Sequence, residues 1–421
     1  MDILNAYTET IGISLIIIIS YFFNFISRKS KIPSVLLLIG LGVGIKELLN
    51  YYQFDWDTHI MGVLKLLGVV GLIMIVLEAA LDLELTKEKK PLLIKSFFVA
   101  LLGLGGTAIA IAYVFDYFIF HDFIKSLLYA IPLSILSSAI IIPSVASLLG
   151  HKREFMIYES TFSDILGIMF FYFLIGGVDA SGAKEVLMEI SGSIIVTIVL
   201  SLVISYVLVV LLQKLKSKVK LFFLISILIL LYSVGKMFHL SSLLIIMVFG
   251  LVLNNYTLFF QGKLKKLIIP EALEEITGDF HMVTMETAFV VRTFFFVIFG
   301  MTLDFSGITH LPSIYLALGV LSITYLIRFV LLKLFIRTNI TPQLWLAPRG
   351  LITVLLFFSI PLQFQDMAFN PTILLIVILS SSFIMSGGLI AKTEDIKEVD
   401  ELSFDNWEKL DEEIKDLNMS K

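Results

Sequence analysis

Residues 153–177, REFMIYESTFSDILGIMFFYFLIGG, have the length and apolarity of a membrane-crossing helix, yet carry Glu159 and Asp164 well inside its ends. An ionised side chain at that depth costs several kcal/mol, roughly 2.5–3.5 on insertion scales. Chains keep such residues where a bundle interior or a water path receives them, and the usual purpose is to move ions or protons. Glu159 and Asp164 are therefore the first candidates for function.

The rest of the chain supplies the matching context. It has 421 residues, of which 58% are apolar and only 16% charged, with a mean hydropathy of +0.97. Soluble domains carry about 25% charged residues. Long apolar stretches alternate here with short charged loops, the pattern of an all-α polytopic membrane protein. The chain has no cysteine, which excludes disulfides and thiolate metal sites. Asp2 and Glu9 precede the first apolar stretch and Arg28, Lys29 and Lys31 follow it, so it reads as a retained span and not a signal peptide.

About thirteen spans are expected, near 10–27, 32–49, 62–83, 92–115, 124–149, 154–178, 191–212, 220–237, 241–260, 284–303, 312–335, 344–362 and 371–391. The loop cations check this count. Clusters follow every odd span: Arg28, Lys29 and Lys31; Lys87, Lys89 and Lys90; Lys152 and Arg153; Lys214, Lys216, Lys218 and Lys220; Lys263, Lys265 and Lys266; and Lys333 with Arg337. The alternate loops hold isolated cations (Lys46, Lys125, Lys184, Lys236) and acids such as Asp55 and Asp57. That asymmetry predicts an outside N-terminus and a cytoplasmic C-terminus. Residues 1–391 then form a membrane domain, and 392–421 a charged cytoplasmic tail. Trp407, Leu410, Ile414 and Leu417 give the tail a helical periodicity.

Two spans look interrupted. In SSAIIIPSVAS (137–147) Pro143 removes a backbone donor in mid-span, and LAPRGLITVL (346–355) places Pro348 and Gly350 around Arg349. A packed proline kink explains either one alone; two such breaks beside buried charges point to a transport site at an inverted-repeat interface.

Helical spacing puts Ser160, Ser163 and Asp164 on one face of the 153–177 helix, and Glu159 with Ser163 on the adjoining face. A carboxylate among hydroxyl oxygens can take a small hard cation or a proton, and competition for one carboxylate is enough to exchange them. A rise of about 1.5 Å per residue puts Asp164 roughly 16 Å in, close to the midplane, and Glu159 roughly 9 Å in. Ser160, Ser163, Asp164 and Glu159 form the candidate ion- and proton-binding group, with Asp164 and Ser160 contacting the transported cation. For Glu159 a structural ion pair suits better, and Arg328, roughly 10 Å from its own helix end, is the expected partner. Arg292 and Arg349 lie roughly 9 Å deep as further charge partners, Arg349 in a structural role and Arg292 as a possible offset for Asp164. Glu78 and Glu286 are expected at hydrated helix ends, and His151 and His281 on loops. The glycines of LLGLGG (101–106) are expected to allow close helix packing.

Taken together these motifs resemble the monovalent cation:proton antiporters, in the branch of bacterial and eukaryotic sodium/proton exchangers. The resemblance rests on PSVLLLIGLGVGI (33–45), GLIMIVLEAALDLEL (71–85), YESTFSDILGIMFF (158–171), RTFFFVIFGMTLD (292–304), the Arg328 span and APRGLITVL (347–355), in that order. It implies about thirteen helices in inverted repeats, a dimerisation domain, and a mobile core where two broken helices cross. It further implies elevator-like alternating access, a homodimer in a bacterial cell membrane, and no enzymatic activity or cofactor. Carried over by position, Asp164 is the cation and proton carrier, Ser160 a ligand, and Glu159 with Arg328 a stabilising pair. Two departures stand out. Ser163 replaces the Asn, or the second Asp of electrogenic members, which favours one-for-one exchange of Na+ (Li+ and K+ being the alternatives) for H+. Ala139-Ile140-Ile141 replaces the Thr-Asp-Pro of the first broken span, removing a ligand. A sodium-coupled carrier of organic solutes and a cation channel are the competing readings; no nucleic-acid partner is expected.

Overall fold

A backbone crossing hydrocarbon must satisfy its own polar groups, and a helix does so within one segment. In the computed structural model the described residues are mostly helical, with no strand among them. These are residues 2–30, 32–52, 70–71, 73–86, 88–145, 148, 150–177, 183–214, 220–237, 242–303, 310–337, 339–366 and 368–391. The tail, Lys31, Asp55, Asp57, Lys87, Lys216 and Lys218 lie outside them.

The elements are α1 (Asp2–Ser30), α2 (Ser34–Tyr51), α3 (73–82), α4 (Lys90–Phe115), α5 (Phe123–Ser134), α6 (Ser138–Ser144), α7 (Gly150–Gly177) and α8 (Ala183–Leu212). There follow α9 (Lys220–Met237), α10 (Ser242–Asn254), α11 (Tyr256–Phe259), α12 (Pro270–Thr302), α13 (Leu311–Phe335), α14 (Leu351–Phe358) and α15 (Thr372–Ile390). Among the described residues seven spans are long and apolar enough to cross a membrane: α2, α4, α5 with α6, α7, α12, α13 and α15. Shorter apolar stretches lie in α1, α8, α9 and α10.

Two boundaries differ from the sequence reading. Helix α12 begins at Pro270, fourteen residues before the expected 284. Its first half is polar, but Leu273, Ile276, Phe280, Thr284 and Ala288 are buried at helical spacing, so an amphipathic face replaces uniform apolarity. The break in span five falls at residues 135–137 and not at Pro143, which sits inside α6.

Helix α7 runs through the centre, against α4, the α5/α6 pair, α8, α10 and α14. Helices α4, α13 and α15 pack outside the interrupted elements. The glycines of 101–106 contribute here: Gly103 and Gly106 face Leu331 and Ile327 of α13. On another side α2 lies along α12, and α10 sits against α8 and α9. Backbones of α2 and α12 touch at Gly42 and Gly300, where an added Cβ would overlap Val297 O and Ile39 O respectively. Gly300→Ala is expected to destabilise by about 1–3 kcal/mol through overpacking, read as a lower melting temperature in detergent; an unchanged value would show that the two helices separate freely.

At one end of α5 a latch joins the interrupted elements. Lys125 pairs with Asp366 at 2.5 Å, the Tyr129 hydroxyl donates to Phe364 O at 3.2 Å, and it accepts from Asp366 N at 3.1 Å. Phe120, Phe357 and Phe369 pack around the Tyr129 ring. Lys125 holds the Asp366 carboxyl below its usual value of 3.8. A lowered value in the fold means the pair's contribution is present above that usual value and is lost as pH falls through the lowered one. The latch is therefore expected to hold across neutral pH and loosen only in strong acid, seen as hydrogen exchange at residues 362–366 that rises only there.

Candidate functional site

The break between α5 and α6 is defined by where its backbone donors go. Leu136 N–H donates to Ser163 Oγ at 2.9 Å and Ser138 N–H to Asp164 Oδ2 at 3.0 Å. Between them Ser137 N–H donates to Pro348 O at 3.0 Å. Side chains of α7 and a carbonyl of the second interrupted element thus take three donors that a continuous helix would have kept. Residues 346–350 are the second break, and α14 resumes at Leu351. The two breaks cross at Ser137 and Gly350, where any Cβ would run into the Ser137 hydroxyl and Ile140.

Each severed helix end meets a complementary charge. Asp164 receives the N-terminal N–H of α6, where a helix presents partial positive charge. Arg349 sits at the C-terminus of α5: its Nε donates to Leu133 O at 2.6 Å, Nη2 to Thr324 Oγ1 at 3.2 Å and Nη1 to Ala347 O at 3.5 Å. It is 1% exposed and makes no ion pair among the described residues, and helix-end carbonyls meet its positive charge.

Asp164 is 2% exposed, and no ion pair among the described residues engages it. Its Oδ1 has no hydrogen-bond partner. A buried carboxylate oxygen left free in this way can take a proton or a small cation. Ser160, one turn earlier and fully buried, donates to Ile157 O at 3.1 Å, leaving its lone pairs unused. Ser163 spends an acceptor on Leu136.

Glu159 does not join this group. It is 1% exposed and forms a two-pronged pair with Arg328, with Nη1 to Oε1 at 2.6 Å and Nη2 to Oε2 at 3.0 Å. Gln343 O takes the remaining fork from Nε and Nη2, at 2.9 and 2.8 Å. Arg292 is drawn elsewhere: its Nη2 donates to Glu78 Oε2 at 2.8 Å, so Glu78 is a half-buried ion-pair partner and not a hydrated helix end. His281 lies within α12 and not on a loop, with Nε2 at 2.7 Å from Asp82 Oδ1. Glu286 is exposed but stands midway along α12 and not at a helix end, and His151 is exposed in the first turn of α7.

The sequence reading did not find Leu136, Ser137 and Ser138. Leu136 and Ser137 act through main-chain N–H groups, which leave no mark in residue type, while Ser138 meets Asp164 with its side chain as well as its N–H. It also missed Gln343, which serves through its carbonyl. The Glu78–Arg292 pair had a usable signal, two opposite charges inside neighbouring apolar stretches.

Known proteins share the family signature and the fold. Residues 13–391 match the family described as sodium/hydrogen exchanger, transmembrane. The fold is similar to that of the sodium proton antiporter MjNhaP1 from Methanocaldococcus jannaschii at pH 8, with a TM-score of 0.68 and 18% identity over 93% of this chain and 96% of that one. It is also similar to the electron-microscopy structure of the same antiporter, with a TM-score of 0.60 and 17% identity over 91% and 95% of the two chains. No curated protein sequence matches the chain.

Proposed function

The chain belongs to the sodium/hydrogen exchanger family of cation/proton antiporters, and on that premise we propose that it exchanges Na+ for H+ one for one, with Asp164 binding each in turn. One observation carries the proposal: Asp164 is buried at the crossing of two interrupted helices with Oδ1 free and no cationic side chain paired to it. Entry of Na+ to that oxygen, with Ser160 Oγ as a neighbour, displaces the proton; loss of Na+ on the other side lets a proton return. A lone carboxylate exchanges one charge for one charge, so the cycle moves no net charge across the membrane.

Residues 1–391 form the membrane domain. The group around α4–α7 and α13–α15 shifts as a body against the group containing α2, α10 and α12, in an elevator-like cycle. The cation-rich loops support an N-terminus outside and a C-terminus inside, in a bacterial cell membrane, with the protein working as a homodimer. An organic solute is not favoured: the cavity beside the crossing, lined by Glu159, Ser163, Arg328 and Arg349 among others, measures about 20 Å³, room for about one water.

The test is proton flux in proteoliposomes against Na+, Li+ and K+ gradients, with and without an imposed voltage. Proton movement driven by Na+ and indifferent to voltage is expected. Voltage-driven exchange would overturn the one-for-one ratio, and no exchange with any of the three cations would overturn the function.

A further inference from the structure

We propose that Thr161 is a further ligand for the cation, used on its way from the cytoplasmic end of α7 to Asp164. The inference rests on the exchange function proposed above and adds a residue to its path.

A cavity of about 260 Å³ opens where α3 ends and α7 begins, lined on α7 by Gly150, Arg153, Glu154, Ile157 and Tyr158 and on the facing side by Asp82, Glu84 and Lys89, with Lys89 paired to Glu84 and Glu154. The α7 lining continues inward as one stripe. Gly150, Glu154, Ile157, Thr161 and Asp164 are spaced four, three, four and three residues apart, so they stack along a single helix face. The stripe runs from the cavity towards the carboxylate, and past Glu154 it carries the Thr161 hydroxyl, beside Ser160, before Asp164. Across from it Asp82 and, one turn deeper, Glu78 add acidic side chains, with Glu78 engaged by Arg292 and Asp82 by His281.

The Thr161 hydroxyl is fully buried and has no hydrogen-bond partner. A threonine in a helix ordinarily bonds the carbonyl three or four residues back. Here the Ile157 carbonyl is already taken by Ser160 Oγ. An unsatisfied buried hydroxyl costs free energy that valine, of the same shape, would not incur. A cation shedding water is the partner the geometry provides for: Thr161 Oγ1 and Asp164 Oδ1, one turn apart on the same face, are both without a partner.

The test uses the full-length protein in proteoliposomes. Thr161→Val is expected to raise the apparent KM for Na+ about tenfold with the maximal rate within about twofold, while Thr161→Ser stays near wild type. Thr161→Ala carries the same expectation should the valine variant fail to assemble. A purely structural threonine would change melting temperature and leave KM alone. An active wild type with unchanged KM in the valine or alanine variant overturns the role of Thr161 only. A wild type inactive towards Na+, Li+ and K+ overturns the exchange reading itself.

Discussion

Asp164→Asn is expected to abolish cation-driven proton movement while leaving the protein folded. The amide oxygen of Asn can still accept the Ser138 N–H, so the contact at the start of α6 survives. The side chain loses its capacity to alternate between a bound proton and a bound cation. Exchange in proteoliposomes is expected to fall at least about a hundredfold, equivalent to about 2.7 kcal/mol in the barrier. The melting temperature in detergent should hold, because a neutral amide suits an unpaired buried position at least as well as a carboxylate does. Na+-dependent proton release persisting above about a tenth of the wild-type rate would move the carrier role to another acid, with Glu78 the next candidate.

Arg328→Ala is expected to fail at the level of the fold. The guanidinium makes two bonds to Glu159 and two to the Gln343 carbonyl. Removing it strands a carboxylate that is 1% exposed. Breaking a buried pair from one side costs about 3–5 kcal/mol, a large part of a typical stability of about 5–15 kcal/mol. The yield of monodisperse protein should collapse. Glu159→Leu combined with Arg328→Met should recover much of it, since apolar replacement of a whole buried pair is often neutral or better. The remaining deficit is the loss of the Arg328 bonds to the Gln343 carbonyl, which keeps only the Leu346 N–H, about 1 kcal/mol. The double variant also separates two roles for Glu159: exchange that survives its loss removes it from the ion-binding group. An Arg328→Ala protein as stable as wild type would show that the pair does not hold α7 to α13.

What could be read from the sequence was whatever is written in one dimension. Apolar length gave the spans, and the depth of each charge along its helix brought Glu159 and Arg328 to one level, where the structure pairs them. Pro348 and Gly350 marked the second break because both residue types alter the backbone directly. The first break was misplaced for a physical reason: Pro143 costs one bond inside α6, whereas residues 136–138 give up three donors to partners far along the chain. The early start of α12 was hidden because its buried face, Leu273, Ile276 and Phe280, is diluted by acids when averaged over a window. Arg292 reads as an offset for Asp164; its depth does not reveal that Glu78 lies within reach on α3.

The crossing also constrains how such a chain can drift. Leu136 and Ser137 contribute peptide groups, so exchanging their side chains leaves those bonds available, provided the replacement fits against Gly350. A lineage altering its ionic preference would thus find little leverage in those two residues. Its room for change lies at Ser138, whose side chain also meets Asp164, and along α7, where each hydroxyl or carboxylate is set by a codon of its own.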